Sequence, residues 1–488
     1  MGKKISIDPI TRLEGHGKIE IFLDADGAVE DCYFQIPELR GFERFVVGRP
    51  IEELPRIVTR ICGVCPASHH MASAKAVDGC FGHQVAPLAR KLRDLYYHAH
   101  FIHSHIAHFY ALAAPDFVCG PDSDPATRNI LGVVAKVGLE IGGAVVRARA
   151  QAQKIQQIVG GKTTHLVWCL PGGVSKGLKK EELDAIRPMI DELYDFTQFS
   201  LKLFKDVVLG NAAYVDLILK GPYTLDVQQM GLVDENNAPN FYDGKVRVVD
   251  FEGNEICKYA PEEYAQNVAE HVESWTYLKF PYLKQRGWKG FVEGIDSSIY
   301  CATPLSRLNV ADRMATPAAQ EAYEEMFSTL GQKPCRALLA QHWARLVEMV
   351  FDAEMLRTYR DDPEITGETF RIVPDRITGE GVGIVEAMRG TLTHHYTCDE
   401  QGICTSANLI VGTTNNNAPI HMVTKKVAKA LIRPGVEPDP GILNMVEMAF
   451  RAFDPCFSCA THSLPGQMPL EVKIFKEGRP YREFRRGC

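Results

Sequence analysis

The chain has 488 residues, of which 45% are apolar and 24% charged, and its formal net charge is −7. This is the composition of a globular protein with a large core, and the absence of a basic block argues against a nucleic-acid partner. No run of about 18 apolar residues occurs, since the most apolar segment contains Lys136 and Glu140, and the first residues lack a secretory-signal pattern. We therefore expect a cytoplasmic protein with no membrane segment.

In the N-terminal half, two strands are predicted at 18–23 and 28–36, separated by the turn chemistry of an Asp-Ala-Asp-Gly segment. Apolar residues then recur at three- and four-residue spacing from about 52 to 204, which predicts helices. A β excursion follows, with strands predicted at 241–249 and 254–259.

In the C-terminal half, helical spacing returns at 316–355, and a second hairpin is predicted over 390–398 and 403–411. A helix around 422–432 and a last helix ending near Phe453 complete the pattern. No linker is long enough to separate domains. The pattern therefore predicts one mainly α body with peripheral β hairpins, an α+β fold.

Fourteen cysteines in a long chain do not indicate the disulfide framework of a short secreted domain. Ten are isolated and are interpreted as small buried hydrophobes. The other four form two C-x-x-C pairs, Cys62/Cys65 and Cys456/Cys459. A local zinc ribbon separates its pairs by about 15–20 residues, whereas these pairs lie at opposite ends of the chain. Four thiolates brought together by the fold would suit nickel, iron or zinc.

The flanks of the two pairs narrow this choice. The first reads Arg60-Ile61-Cys62-Gly63-Val64-Cys65 with His69 following, and the second reads Asp454-Pro455-Cys456-Phe457-Ser458-Cys459 with His462 following. Further matching segments are Asp8 to His16, Arg40 to Glu43, and Arg389-Gly390. Together these motifs resemble the large subunit of nickel–iron hydrogenases over about residues 7–462, and hence its long-helix bundle. Within that family the chain resembles the cytoplasmic group of viologen-reducing, heterodisulfide-reductase-associated and soluble NAD-linked enzymes.

The resemblance implies a Ni–Fe centre that splits H2 reversibly and heterolytically into protons and electrons. The implied nickel ligands are Cys62, Cys65, Cys456 and Cys459. Cys65 and Cys459 would also bridge to an iron whose other ligands are carbon monoxide and cyanide.

The resemblance also implies catalytic roles beside the metals. Arg389 would hydrogen-bond a cyanide ligand or act as a base. Glu14 would relay protons from a terminal cysteine, for which Cys456 is the candidate. The supporting residues are His69, expected to hydrogen-bond the sulfur of Cys65, together with Thr413 and Asp454.

Glu43 and His462 match two ligands of a second site, which holds Mg²⁺ or a similar hard cation in the family, with a backbone carbonyl near Leu409 as a third ligand. Two departures concern the pocket wall. Met388 stands where the family commonly has proline before the arginine, and Gly412 replaces a second proline. We expect these changes to affect pocket rigidity and gas access rather than the metal ligands.

Residues 463–488 match the C-terminal extension that a maturation endopeptidase removes in this family, so the predicted domain covers 1–462. Within the extension, a hairpin is predicted from Leu470–Phe475 and Tyr481–Phe484. We expect the precursor to hold this hairpin against the body and to keep His462 away from Glu43 until cleavage.

The chain has no iron–sulfur or nucleotide-binding motif of its own. The resemblance therefore implies an iron–sulfur small subunit, with further electron-transfer subunits that are either flavin/NAD-linked or of the heterodisulfide-reductase type. Three alternatives remain. They are a hydrogen-sensing regulatory hydrogenase, which commonly lacks the extension, a non-catalytic complex-I-like subunit, which lacks the cysteine pairs, and a structural zinc protein.

Overall fold

The protein is described here from a computed structural model that covers residues 3–462, 470–476 and 479–486. Helices of seven or more residues are numbered in chain order. They are α1 Pro66–Cys80, α2 Pro87–Ala107, α3 Ile130–Val137, α4 Leu139–Gly160, α5 Lys180–Phe204, α6 Ala212–Lys220, α7 Pro304–Val310, α8 Pro317–Leu330, α9 Gln341–Asp361, α10 Asn417–Leu431 and α11 Pro440–Arg451. None of the helices in the described ranges is long and apolar enough to cross a membrane.

Four long helices form the centre of the body. Helix α2 packs against α4 and α9, and α5 packs against the same two helices, so the four close into a bundle. On α2 the buried apolar residues recur every three or four positions, at Leu88, Leu92, Leu95, Ala99, Ile102 and Ile106. This spacing places them on one stripe of the helix, which buries against the neighbouring helices. The predicted bundle of long helices is confirmed.

The strands form small sheets at the edge of this bundle. They are β1 Lys4–Ile7, β2 Lys18–Leu23, β3 Val29–Gln35, β4 Cys169–Leu170, β5 Gly173–Val174, β6 Gln228–Val233, β7 Lys245–Val249, β8 Glu255–Tyr259, β9 Val268–Val272, β10 Lys279–Leu283, β11 Tyr300–Cys301, β12 Glu380–Ala387, β13 Gly390–Cys398, β14 Cys404–Ile410, β15 Leu470–Lys476 and β16 Arg479–Arg486. The sheet orders are β1-β2-β3, β11-β6-β7-β8 and β12-β13-β14, with three two-stranded pairs.

The predicted hairpins are all present, but three of them gain further strands that the sequence did not predict. Strand β1 pairs with β2, β12 pairs with β13, and β6, itself paired with β11, pairs with β7. The segment predicted as helical over 316–355 is two helices, because Gly331 adopts a left-handed conformation with φ +71° and ends α8. A glycine at this position is the usual helix terminator, since it has no Cβ to clash.

The β12-β13-β14 sheet packs against the helix that follows the first cysteine pair. Strands β12 and β13 pack on α1, and Gly381 and Gly383 of β12 approach the α1 backbone so closely that a Cβ at either would collide with it. The β12–β13 turn contains Arg389, and α1 begins directly after Cys65. Close packing of this sheet on α1 therefore sets the position of Arg389 relative to the first cysteine pair.

Candidate metal centre

The two cysteine pairs meet in one buried cluster. The sulfur atoms of Cys62, Cys65, Cys456 and Cys459 all lie within 4.8 Å of one another. The Sγ atoms of Cys62 and Cys456 are 3.2 Å apart, those of Cys65 and Cys459 are 3.8 Å apart, and those of Cys456 and Cys459 are 3.0 Å apart. The predicted convergence of the two pairs is confirmed.

Local structure positions each pair. Cys62 and Cys65 occupy the turn that leads into α1, where the amides of Val64 and Cys65 donate to Sγ of Cys62 at 3.2 and 3.4 Å. Cys456 and Cys459 lie on a short helical turn after α11. Hydrogen bonds from the neighbouring thiols lower the pKa of Cys62, whereas burial raises the pKa values of Cys456 and Cys459.

This electrostatic arrangement fits a bound metal. If all four cysteines were ionised at these distances, the thiolates would repel one another, because burial removes the water that would screen them. A cation at the centre of the cluster offsets that repulsion and keeps coordinating thiols deprotonated. All-sulfur donors favour a soft or borderline transition metal.

Glu14 lies against the second cysteine pair. Sγ of Cys456 donates to Oε2 of Glu14 at 2.9 Å. Backbone hydrogen bonds hold the two segments side by side, from the Glu14 amide to the Pro455 carbonyl and from the Phe457 amide to the Glu14 carbonyl. The backbone amide of Cys456 also donates to Oγ1 of Thr413 at 3.1 Å, so the Thr413 hydroxyl hydrogen can point elsewhere.

Arg389 is buried and pairs with Asp454. Its Nη2 lies 3.2 Å from Oδ1 and 3.0 Å from Oδ2 of Asp454. Burial alone would lower the pKa of Arg389, but Asp454 and the cysteine thiolates outweigh it, so the pKa is raised. Nε and Nη1 of Arg389 are buried without a hydrogen-bond partner. Such donors are costly to leave unpaired, which fits acceptor groups bound beside the cysteines.

His69 corrects one predicted contact. Its Nε2 lies 3.6 Å from Sγ of Cys459 rather than contacting Cys65. The reason is that Nδ1 of His69 is 3.2 Å from Nε2 of His394 on β13, which turns the ring toward the second pair. His394 in turn contacts the Tyr396 hydroxyl at 2.6 Å. Burial lowers the pKa of His69 to about 3, so the ring is neutral near pH 7.

A second buried polar cluster surrounds His462. Its Nδ1 is 3.6 Å from Oε1 of Glu43, and its Nε2 is 2.6 Å from Oε1 of Glu270. Arg40 hydrogen-bonds Glu43 and donates to the Leu409 carbonyl at 3.0 Å. Oε2 of Glu43 and Nδ1 of His462 are buried without hydrogen-bond partners. An unpaired carboxylate oxygen beside an unpaired imidazole nitrogen fits a divalent cation with few protein ligands.

Sequence reasoning missed two members of this cluster. Glu270 lies on β9 with no motif around it, so no local signal marks it. Lys279 on β10 is fully buried, and burial lowers its pKa to about 8, with partial compensation from Glu270. Arg40 belongs to one of the matching sequence segments, but its contacts to Glu43 and the Leu409 carbonyl were not predicted.

The expectation that the extension keeps His462 away from Glu43 is wrong for this chain. His462 is fully buried although the extension is still attached. The preceding Thr461 forms a β-bridge with Leu278, and Glu270 hydrogen-bonds the His462 imidazole. His462 is therefore already in place beside Glu43 while the extension is attached. The predicted hairpin of the extension is present as β15 and β16. Cys488 and the segments 463–469 and 477–478 lie outside the described residues.

The two departures in the pocket wall are tightly packed. A Cβ at Gly412 would lie 3.0 Å from the Gly390 carbonyl oxygen and 3.3 Å from the Arg389 carbonyl carbon. Met388 is fully buried, and its sulfur accepts a hydrogen bond from the Ser68 hydroxyl at 3.6 Å. Backbone of the β12–β13 turn therefore occupies the space beside Gly412.

Comparison with known proteins identifies hydrogenases as the relatives of this chain. A family model described as nickel-dependent hydrogenase matches residues 40–123 and 219–462, and one described as HoxL-like matches 4–39. An F420-non-reducing hydrogenase iron-sulfur subunit of Archaeoglobus profundus is 47% identical over 97% of each chain. The NAD-reducing hydrogenase HoxS subunit beta of Cupriavidus necator is 37% identical over 97% of this chain and 98% of its own.

Solved structures agree in fold. The chain is similar to one in the crystal structure of an NAD+-reducing NiFe-hydrogenase in the H2-reduced state, with a TM-score of 0.88 and 36% identity over 94% of this chain and 99% of that chain. The Ni-Fe-Se hydrogenase from D. vulgaris Hildenborough is similar in fold, with a TM-score of 0.73 and 24% identity over 95% of this chain and 100% of that chain.

Proposed function

This chain belongs to the nickel-dependent hydrogenase family as a large, catalytic subunit; from that premise we propose that its four clustered cysteines hold the Ni–Fe centre. The observation that carries the proposal is the set of four buried sulfurs within 4.8 Å, flanked by Glu14 and by the unpaired donors of Arg389.

In this proposal Cys62, Cys65, Cys456 and Cys459 would hold the nickel, and Cys65 and Cys459 would also be ligands of an iron that carries carbon monoxide and cyanide. When bound, such a centre supplies the redox-active metals at which H2 is polarised and its electrons are taken up. The protein contributes a buried site, hydrogen-bond donors held in fixed positions, and a route for protons.

The proton route begins at Cys456. A proton on its Sγ passes to Oε2 of Glu14, 2.9 Å away. Arg389 serves as a fixed hydrogen-bond donor rather than a base, because a guanidinium paired with a carboxylate does not give up its proton. Its free Nε and Nη1 would donate to the iron's cyanide ligands, as would the Thr413 hydroxyl. His69 would hold the sulfur of Cys459.

The cluster around His462 is proposed to hold Mg²⁺ or a similar hard cation, with Glu43 and His462 as ligands. The Leu409 carbonyl would serve as a third ligand once Arg40, which donates to it here, releases it. Mg²⁺ binds through few protein oxygens and retains several waters, which suits a site with two unpaired protein atoms.

Electrons are proposed to leave through an iron–sulfur small subunit to flavin/NAD-linked or heterodisulfide-reductase-type subunits. The relatives are named as subunits of hydrogenases, which supports a multi-subunit complex. We further propose a cytoplasmic location and removal of residues 463–488 by a maturation endopeptidase, leaving a domain of 1–462.

The test is metal analysis of the complex purified without oxygen. Wild type should contain nickel and iron, oxidise H2 with a viologen acceptor, and show infrared bands of carbon monoxide and cyanide. Cys62→Ala should lose nickel, whereas Cys32→Ala, which removes a buried thiol on β3, should retain it. Zinc in place of nickel in the wild type would contradict the proposal and favour a structural zinc protein.

A further inference from the structure

A continuous hydrogen-bonded chain runs from Glu14 to the protein surface. The Ser458 hydroxyl donates to Oε1 of Glu14 at 2.7 Å and lies 3.2 Å from Oε2 of Glu38. The other carboxylate oxygen of Glu38 contacts Nδ1 of His16. Each link is direct, so no water is needed between Cys456 and the last residue.

The chain of contacts leads from the core into solvent. Cys456 is fully buried and Glu14 is half-buried. The side chain of Glu38 is 30% exposed and that of His16 is 76% exposed. The His16 imidazole is therefore exposed enough to exchange protons with solvent.

The Ser458 hydroxyl is suited to passing a proton because it has one hydrogen and two lone pairs. It lies between two carboxylates but can donate to only one of them at a time. When the hydroxyl donates to Glu38, its oxygen can accept a proton from a protonated Glu14. After that transfer the hydroxyl can rotate back to donate to Glu14, which restores the starting arrangement.

The backbone at Gly15 leaves room for this contact. Gly15 has φ +92°, and a Cβ there would lie 2.9 Å from the Ser458 amide and 3.3 Å from Oε2 of Glu38. Only glycine adopts this conformation without strain while leaving that space open. Gly15 thus lets Ser458 and Glu38 approach the residue that follows Glu14.

We propose that Ser458, Glu38 and His16 continue the proton route from Glu14 to solvent, with the His16–Glu38 pair as its surface port. This inference rests on the proposed function. In the outward direction Glu14 gives its proton to Oγ of Ser458, while the Ser458 hydroxyl proton moves to Oε2 of Glu38. The protonated Glu38 then gives its proton to Nδ1 of a neutral His16, and the imidazolium so formed releases a proton from Nε2 to water. One proton enters, one leaves and no electrons move.

Electrostatics support the port. The hydrogen bond and charge of Glu38 raise the pKa of His16, and Glu14 adds a smaller contribution in the same direction. Glu38 and Glu14 are the charged groups that raise the pKa of this imidazole. An exposed ion pair of this kind contributes little to stability, so its removal should affect turnover more than folding.

The test uses the metal-loaded complex with Glu38→Gln, and Glu380→Gln as the matched control. Glu380 forms a similar exposed pair with His395, at 2.8 Å, on the β12–β13 sheet. Since positioned acid–base groups contribute about 10²–10⁴-fold, Glu38→Gln should lower H2 oxidation at least about 10-fold and raise the solvent isotope effect. Its nickel and iron content should equal that of wild type, and Glu380→Gln should match wild type in every measurement.

Two further variants separate proton transfer from structure. His16→Ala should lose activity that imidazole buffer restores, because a small base can reach the exposed Glu38. Ser458→Ala should lose activity that Ser458→Thr retains, because threonine keeps the hydroxyl. Independently of turnover, NMR titration of the unloaded full chain should show a lower His16 pKa in Glu38→Gln than in wild type.

Wild-type turnover in a fully nickel-loaded Glu38→Gln would overturn the inference, as would nickel loss in that variant, since Glu38 would then support the metal site. An unchanged His16 pKa would also overturn it. A wild-type complex without nickel or H2 oxidation would instead refute the proposed function.

Discussion

The guanidinium of Arg389 and the carboxylate of Asp454 form a buried ion pair, with Nη2 3.0 Å from Oδ2. Arg389 comes from the β12–β13 turn, whereas Asp454 follows α11 directly before the second cysteine pair. The contact holds one edge of the guanidinium and leaves Nε and Nη1 without partners. The pair therefore orients a cation at the cysteine cluster.

Arg389→Lys should lower H2 turnover about 100-fold, near the lower limit for a preorganised donor, while nickel and iron content stay unchanged. An ammonium cannot keep the Asp454 contact and also present two donors in the guanidinium plane. Metal analysis and viologen-linked H2 oxidation check this. Wild-type turnover in a metal-loaded variant would remove Arg389 from the mechanism.

Glu14→Gln should lower both net turnover and hydrogen/deuterium exchange by about 10²–10⁴-fold, with metal content intact. The amide keeps the shape of the side chain but cannot carry a proton from Sγ of Cys456 at neutral pH. Mass spectrometry of gas exchange makes the measurement. Unchanged exchange would mean that protons leave by another route.

Gly390→Ala should destabilise the protein and displace Arg389. Gly390 has φ +140°, and a Cβ there would collide with the carbonyl oxygens of Gly412 and Ala302. Strain and overpacking together should cost roughly 2–5 kcal/mol. Gly435→Ala is the control, because Gly435 has φ +79° but open space around it, so only the strain of about 1–2 kcal/mol applies. Equal unfolding free energies for the two variants would contradict the collision.

His98 should make stability depend on pH. Burial alone lowers its pKa, but Asp94 and Asp352 outweigh burial and raise it to about 9, from an ordinary 6.5. A raised folded-state pKa gives stability that is fully present below pH 6.5 and is lost as the pH rises through about 9.

His98→Asn should therefore lower the melting temperature more at pH 6 than at pH 9.5, with a loss of roughly 1–3 kcal/mol at pH 6 from the lost hydrogen bond to the buried Asp352. Thermal unfolding of the metal-free chain followed by circular dichroism checks this. His83→Asn, at an exposed histidine, should show no such trend. If the difference in melting temperature between wild type and His98→Asn grew as the pH rose, the predicted role of His98 would be contradicted.

Intact-mass measurement of active, nickel-loaded protein should show a chain ending at His462. The structure shows His462 buried beside Glu43 with the extension attached, so cleavage is not required to bring these two residues together. Full activity in a chain ending at Cys488 would refute the maturation step and leave the cysteine assignment intact.

The amino-acid sequence by itself determined the local features. Helix α2 and the hairpin of β13 and β14 could be predicted because their apolar spacing and turn residues lie within a few residues of one another. The sulfur donors of both C-x-x-C pairs can be read directly from the sequence. The motif flanks were specific enough to indicate the family. Strands β1 and β12 escaped prediction because a strand depends on a pairing partner that its own residues do not specify.

Only the tertiary structure decided which distant groups meet. Three contacts join segments that are far apart in the chain. His69 contacts Cys459 rather than Cys65, Glu270 hydrogen-bonds His462, and Ser458 hydrogen-bonds Glu38. Local patterns carry no information about such contacts, because packing of helices and sheets orients each side chain. The same residues could make several pairings, and the shape of the packed core selects one.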